Sequence, residues 1–168
     1  MTFFKDLTPC NYFGVEFAES LRAVGWLSRN KSFTKGEVSE VFFKRLCELL
    51  QNPWNPFYFL GVHECEFCRF TQGFGGDSQF WDYKVARISN KNLFVPAEGF
   101  IYVAPESITH YIDAHEYCPP EDFCRAVLDC PEMRSREYLI ALLKNGGRGL
   151  RQKAKEKFQK PRRTIKQR

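Results

Sequence analysis

The chain has 168 residues, of which 43% are apolar and 17 are phenylalanine, so it can bury one good core and favours one domain over two. No apolar run approaches the roughly 18 residues that cross a bilayer, and residues 1–6 lack the layout of a signal peptide, so we expect a cytoplasmic protein. The net charge of +5 is unevenly divided: residues 1–143 hold 14 Lys/Arg against 19 Asp/Glu, whereas residues 144–168 hold 11 against one. We therefore predict a single domain over residues 1–146 and a basic tail over residues 147–168.

The first clear element is an amphipathic helix that follows Gly36. In the aromatic-rich stretch before it, residues 15–24 admit a short helix. Leu46 belongs to the apolar stripe of the clear helix, and Lys44 lies on the opposite face. The stripe recurs at helical spacing until Pro53 ends the run, and its members are Val38, Val41, Phe42, Leu46, Leu49 and Leu50.

Short β segments come next in the chain. Residues 57–61, 80–88, 92–95 and 100–103 have the composition of strands, and segments rich in Gly, Asn and Pro separate them. These segments predict a small antiparallel sheet.

Three helical stretches complete the predicted domain, over residues 105–116, 119–129 and 135–144. A proline suited to the first helical turn opens the first two, and an Asn-Gly pair closes the third. The sequence therefore predicts an α+β fold in which a small antiparallel sheet is flanked by helices.

Cys65 and Cys68 form a C-x2-C spacing after a predicted strand, and 41 residues separate Cys68 from His110, which lies with His115 on a predicted helix. Zinc binds four nitrogen or sulfur donors in a tetrahedron, and cysteines at this spacing can present both sulfurs from one tight knuckle. We therefore predict one structural Zn²⁺ ion at a zinc knuckle joined to a helix-borne histidine pair, with the ligands Cys65, Cys68, His110 and His115.

The spacing of the two histidines requires a change in the helix. Residues five apart are displaced by about 140° around a regular helix, so one face would not hold both rings. His115 precedes Pro119, where the helix must end, and a loosened last turn can bring its ring back to the metal, as the tolerated H-x3–5-H spacings illustrate. The chain has three histidines, and all of them lie in these two segments, which strengthens the prediction.

Other interpretations of these residues stay open. His63 or Cys118 could replace a histidine ligand, and His63 could instead orient a ligand by a hydrogen bond. Ordinary thiols are a further alternative, because C-x2-C spacing often occurs by chance and 41 residues exceed the linker of a compact finger. A redox pair of Cys65 and Cys68 is disfavoured, because no βαβ pattern surrounds them. The seven cysteines are odd in number, which favours reduced thiols, and we assign no role to Cys10, Cys47 and Cys124.

These segments also resemble one family. The resemblance is carried by residues 25–27 and 103–106, by H-x-C-x-x-C at 63–68, and by H-Y-x-x-x-H-x-Y-x-P-P at 110–120. The pattern is similar to that of uncharacterised bacterial proteins classified as a domain of unknown function, over about residues 3–127. The resemblance implies one continuous domain and a bacterial origin, and the four predicted ligands match it position by position. It implies no activity.

The sequence predicts a small, non-catalytic zinc-binding module that binds a macromolecule, either protein or nucleic acid. The motifs of zinc deaminases, H-E-x-x-H proteases, G-x-S-x-G hydrolases and phosphate-loop proteins are absent from it. The alternative is a zinc-dependent metalloenzyme in which one histidine leaves a coordination position open, with Glu64, Glu66 or Glu116 as the base.

The tail has too little apolar surface to offset the entropy of ordering, so we expect it to be disordered or at most a fraying helix. Clustered cations beside an acidic body suggest nucleic acid or another polyanion as a partner, and a merely solubilising tail is the alternative. We expect no membrane partner. The candidate nucleic-acid contacts are Arg151, Lys153, Lys155, Lys157, Lys160, Arg162 and Arg163.

Overall fold

The computed structural model describes residues 2–57, 63–68, 78–80, 82–85 and 88–159. A short 3-10 helix at Val15–Ser20 precedes the first strand. The strands are β1 (Leu21–Ala23), β2 (His63–Glu64), β3 (Ser78–Phe80), β4 (Tyr83–Val85), β5 (Ile88–Ser89), β6 (Asn92–Pro96) and β7 (Ile101–Pro105). The helices are α1 (Glu40–Gln51), α2 (Ile108–His115), α3 (Glu121–Asp129), α4 (Arg136–Lys144) and α5 (Arg148–Gln159). In the described part of the chain, no helix combines the length and apolar character needed to cross a membrane.

The predicted α+β class is confirmed, and the sheet differs in one strand. β6 pairs with β7 in the antiparallel manner that we expected, but β1 pairs with the other edge of β7 in parallel, so this three-stranded sheet is mixed. β1 falls within residues 15–24, the stretch that admits a short helix; the 3-10 helix occupies residues 15–20, and the strand follows it. Leu21 and Ala23 are buried while Arg22 between them is half-buried, which is the alternation of a strand.

The remaining strands form two small pairs, β2 with β5 and β3 with β4, both antiparallel. β3, β4 and β5 overlap the region where the sequence predicted a single strand over residues 80–88, whereas β2 lies outside every predicted strand. Most of the predicted strand over residues 57–61 lies outside the described residues.

The core is built around β7, which is buried along its whole length. Trp26 is fully buried, and its indole N–H donates to the carbonyl oxygen of Val103 over 3.0 Å. From the other edge, the Tyr138 hydroxyl on α4 donates to the carbonyl oxygen of Phe94 over 2.7 Å. Both aromatic side chains thus fill the core and satisfy buried backbone carbonyls.

The helices begin near the predicted positions, with one shift at β7. Ser39 caps α1 and Ser135 caps α4, each accepting from a main-chain N–H three residues on. Pro105, which we expected to open a helix, is the last residue of β7, so α2 begins at Ile108. On α1, Val41 is 69% exposed and does not belong to the buried stripe.

α5 occupies the segment where we predicted a disordered tail or at most a fraying helix. Leu150 is fully buried, and the Nζ atom of Lys153 lies 3.3 Å from Oε1 of Glu16, so α5 is attached to the body of the protein. Residues 160–168 lie outside the described residues. The division of the chain into a domain and a tail stays a prediction.

The buried face of α1 can be tested with a matched pair of variants. Leu46 is 0% exposed, whereas Lys44 is exposed. Leu46→Ala should lower the free energy of unfolding by about 2–5 kcal/mol, because it removes core contacts and leaves a cavity. Lys44→Ala should change it by less than about 0.5 kcal/mol. Denaturant unfolding measures both, and equal losses would contradict the assigned face.

Candidate metal centre

Two segments that are distant in sequence bring four donor side chains together. Cys65 and Cys68 follow β2, while His110 and His115 lie on α2. One sulfur or nitrogen atom from each residue lies within 4.8 Å of all the others. Cys65 and His110 are buried, and the other two residues are half-buried. The group is therefore close enough to hold a metal ion.

The distances in this group suit a tetrahedral ion bound by sulfur and nitrogen. Sγ of Cys65 lies 3.2 Å from Nε2 of His115, and Sγ of Cys68 lies 3.3 Å from Nε2 of His110 and 3.5 Å from Nε2 of His115. A tetrahedral zinc ion with bonds of about 2.3 Å to sulfur and about 2.0 Å to nitrogen separates these atoms by about 3.5 Å. The donor set therefore fits zinc with little rearrangement.

The end of α2 sets the position of His115. The helix ends at His115, and Glu116 adopts a left-handed conformation with φ 57°. The main-chain N–H of Tyr117 then donates to the carbonyl oxygen of Tyr111 over 3.0 Å, which closes the last turn. The rings of His110 and His115 meet with centroids 5.1 Å apart and nearly perpendicular planes. Nε2 of each ring reaches Sγ of Cys68, so the five-residue spacing is accommodated at the end of α2.

The chain beyond this turn is attached to the N-terminal segment. Tyr117 is fully buried, and its hydroxyl donates to Oδ2 of Asp6 over 2.9 Å. The other carboxylate oxygen of Asp6 accepts from the main-chain N–H of Gly25 over 2.9 Å. Cys118 donates its main-chain N–H to the carbonyl oxygen of Thr34 over 2.9 Å. The histidine end of the centre is thereby held by residues near the start of the chain.

A family model for a domain of unknown function, DUF7919, matches residues 2–128. The chain belongs to this family. The match confirms the resemblance drawn from the motifs, and it includes all four residues of the metal group. Comparisons with curated proteins and with solved structures gave no match. The bacterial origin implied by the resemblance stays a prediction.

Burial shifts the pKa values of Cys65 and His115 in this DUF7919 domain. Burial raises the pKa of the Cys65 thiol to about 11, although N–H groups of Phe67 and Cys68 oppose the shift. Burial also lowers the pKa of His115, with a smaller contribution from the positive charge of Lys35. Neutral imidazole is the form that binds metals, and a bound cation would offset the cost of a buried thiolate.

An aromatic shell packs against His115 in the DUF7919 domain. The ring of Phe67 lies 5.1 Å from that of His115 and 5.9 Å from that of Tyr111, between centroids. Phe33 approaches Phe67 at 5.5 Å with its edge. Sequence reasoning did not select these residues, although Phe67 lies inside the C-x2-C segment and Tyr111 follows His110. Such a shell restricts water and fixes the orientation of the rings.

The structure describes the side chain of one alternative ligand, Cys118, but not that of the other, His63. Cys118 does not join the metal group among the described residues; its sulfur lies 3.9 Å from the carbonyl oxygen of Glu37 and 3.8 Å from that of Pro119. His63 belongs to β2, but its side chain lies outside those described. Its role as an alternative ligand or orienting group stays a prediction.

The glutamates considered as bases have other contacts. Glu66 Oε2 accepts from the Ser28 hydroxyl over 3.0 Å and from the Arg29 main-chain N–H over 3.1 Å. The exposed carboxylate of Glu116 lies 3.0 Å from the Lys35 ammonium. The side chain of Glu64 is outside those described.

The basic residues predicted to contact nucleic acid begin on α5. Arg151, Lys153 and Lys155 are described there, and Lys153 is the one that pairs with Glu16. The side chains that lie outside the description are those of Lys157, Lys160, Arg162 and Arg163.

The contact between Asp6 and Tyr117 predicts a pH dependence of stability. Burial raises the pKa of Asp6, and hydrogen bonds from Gly25 and Tyr117 oppose the shift. A carboxyl whose pKa is raised on folding stabilises the fold below its unfolded-state pKa, and this contribution is lost as pH rises through the folded-state pKa. Asp6→Asn should remove this contribution, so the wild type should lose stability relative to the variant across that range.

Denaturant unfolding at a series of pH values measures the difference between the two proteins. Glu16→Gln is a control for which the trend with pH should be reversed. Hydrogen bonding from its own main-chain N–H lowers the pKa of Glu16, so the wild type should lose stability relative to this variant as pH falls. Parallel stability curves for the wild type and Asp6→Asn would contradict the raised pKa.

Proposed function

We propose that this DUF7919 domain binds one structural Zn²⁺ ion and that the zinc-stabilised fold acts as a non-catalytic module for binding a macromolecule. The convergence of two sulfur and two nitrogen donors within 4.8 Å carries the proposal. Two thiolates and two imidazoles favour zinc over magnesium or calcium, which prefer oxygen ligands. The odd number of cysteines supports a reducing, cytoplasmic setting for such a site.

The number of protein donors supports a structural ion. Four donors complete a tetrahedral shell, whereas a catalytic zinc keeps one position for water or substrate. The metalloenzyme alternative requires His110 or His115 to leave the ion. It also requires a base, and Glu66 and Glu116 already hold other partners.

The placement of the donors indicates what the ion would stabilise. β2 pairs with β5 over two residues, so among the described residues this strand pairing gives the cysteine segment few main-chain hydrogen bonds. α2, in contrast, follows directly from the buried strand β7, and five of its residues are buried. Zinc would therefore tie a weakly paired segment to the core, and its binding would be coupled to folding.

The first experiment measures the metal content and thermal unfolding of the purified protein. We expect about one equivalent of zinc, since four ligands form one site. Cys65→Ser and Cys68→Ser should lose both the metal and cooperative unfolding, because each removes a thiolate from the shell. Cys124→Ser and Cys10→Ser should retain the metal, because neither sulfur belongs to the group. A wild type without metal, ligand variants that melt like the wild type, or metal loss in a control would each contradict the assignment.

A second experiment separates a closed site from an open one. Cobalt substituted for zinc should give the visible spectrum of a tetrahedral ion with thiolate ligands. Added azide should leave the spectrum unchanged if four protein ligands fill the shell. A spectral shift that saturates with azide would favour the metalloenzyme, because the anion would occupy an open position.

A further inference from the structure

The helix α5 presents three cations on one side. Arg148, Arg151 and Lys155 fall within an arc of about 60° around the helix axis, and the centre of this arc lies about 130° from Leu150. These three residues, which we call the cationic face, border a cavity of about 410 Å³ together with Leu143 and Gln152. Within the described part of the chain, no carboxylate pairs with any of the three cations.

The orientation of the cationic face is set by contacts on other sides of α5. Leu150 is fully buried, and a Cβ atom at Gly149 would come within 3.1 Å of the Phe17 ring, so the helix lies close against the body. Lys153 projects towards Glu16 of the 3-10 helix and is neutralised there. The cationic face therefore points away from the acidic partner that holds Lys153.

We propose that the cationic face binds the phosphate backbone of nucleic acid. This inference rests on the proposed function and names its partner class and its surface. It adds Arg148 to the residues expected from the sequence and removes Lys153, which has a partner in the protein. α5 lies beyond residues 2–128, so this surface is separate from the part of the chain that matches the family.

Charge spacing favours nucleic acid. The three cations span about 10 Å along the helix axis, and a duplex presents one negative charge for about every 1.7 Å of its length. Arginine binds phosphate oxygens through two parallel N–H groups, and two of the three cations are arginines. The net charge of −5 over residues 1–143 would repel the same polyanion, which would confine contact to the cationic face and the basic residues that follow it.

The number of cations fixes the expected salt dependence. Three phosphate contacts contribute about −2.7 to the slope of log affinity against log salt concentration for duplex DNA. They account for a roughly 40-fold loss of affinity between 50 and 200 mM salt. Because phosphate contacts carry no base information, two duplexes of unrelated sequence should bind equally well.

The test uses the full chain as purified and a fluorescent 20-base-pair duplex, with affinity measured by anisotropy across salt concentrations. The triple variant Arg148→Ala, Arg151→Ala, Lys155→Ala should bind more weakly, and its salt slope should be shallower by about 2.7. The matched control removes three exposed cations from the body: Lys5→Ala, Arg29→Ala, Lys44→Ala. It has the same net charge, and its slope should equal that of the wild type. The charge-conserving variant Arg148→Lys, Arg151→Lys should also keep the slope.

Three results would overturn the inference. They are an unchanged slope in the triple variant, an equal loss in the matched control, and stronger binding to polyglutamate or to anionic lipid vesicles than to DNA of equal charge concentration. Zinc content is measured in the same samples. Zinc without DNA binding would refute the cationic face and leave the metal centre, whereas DNA binding without zinc would refute the metal centre alone.

Discussion

The pairing of β7 with β6 on one edge and β1 on the other is the interaction on which the remaining structure depends. This pairing buries every residue of β7. The strand ends at Pro105, and only two residues separate it from the start of α2. α2 therefore starts inside the core, which is why His110 is only 4% exposed. The sheet would therefore position the two histidine ligands of a metal bound there, whereas the two cysteines come from a separate segment.

The four donors that cluster in the structure could be predicted from the sequence because metal-binding chemistry restricts their spacing. C-x2-C and a histidine pair are local patterns, and the periodicity of α1 and the short apolar runs of β6 and β7 are local as well. β1 could not be found in this way, since it has three residues and its partner Ile101–Val103 lies about 80 positions later in the chain. Pro105 was misassigned because proline suits both the first turn of a helix and the end of a strand.

The contact of α5 with the body of the protein shows that amino-acid composition is likewise a limited guide to structure. A segment with many Lys and Arg and few apolar residues predicts disorder, but composition does not show that Leu150 enters the core. One buried leucine and one ion pair to Glu16 give the helix a defined side towards the protein. The cations of α5 therefore form a surface on a defined side of the helix, which the net charge of the segment does not reveal.

The hydrogen bond between Tyr117 and Asp6 joins residues 111 positions apart and makes the domain close on itself. The first residues of the chain thus belong to the same structural unit as the end of α2, because the main chain of Leu7 also pairs with Ala23 of β1. Removing the first six residues would leave a buried phenolic hydroxyl without its acceptor, beside the helix end that carries His115. Affinity tags and fluorescent fusions are therefore better placed at the other end of the chain, when zinc affinity is to be compared between variants.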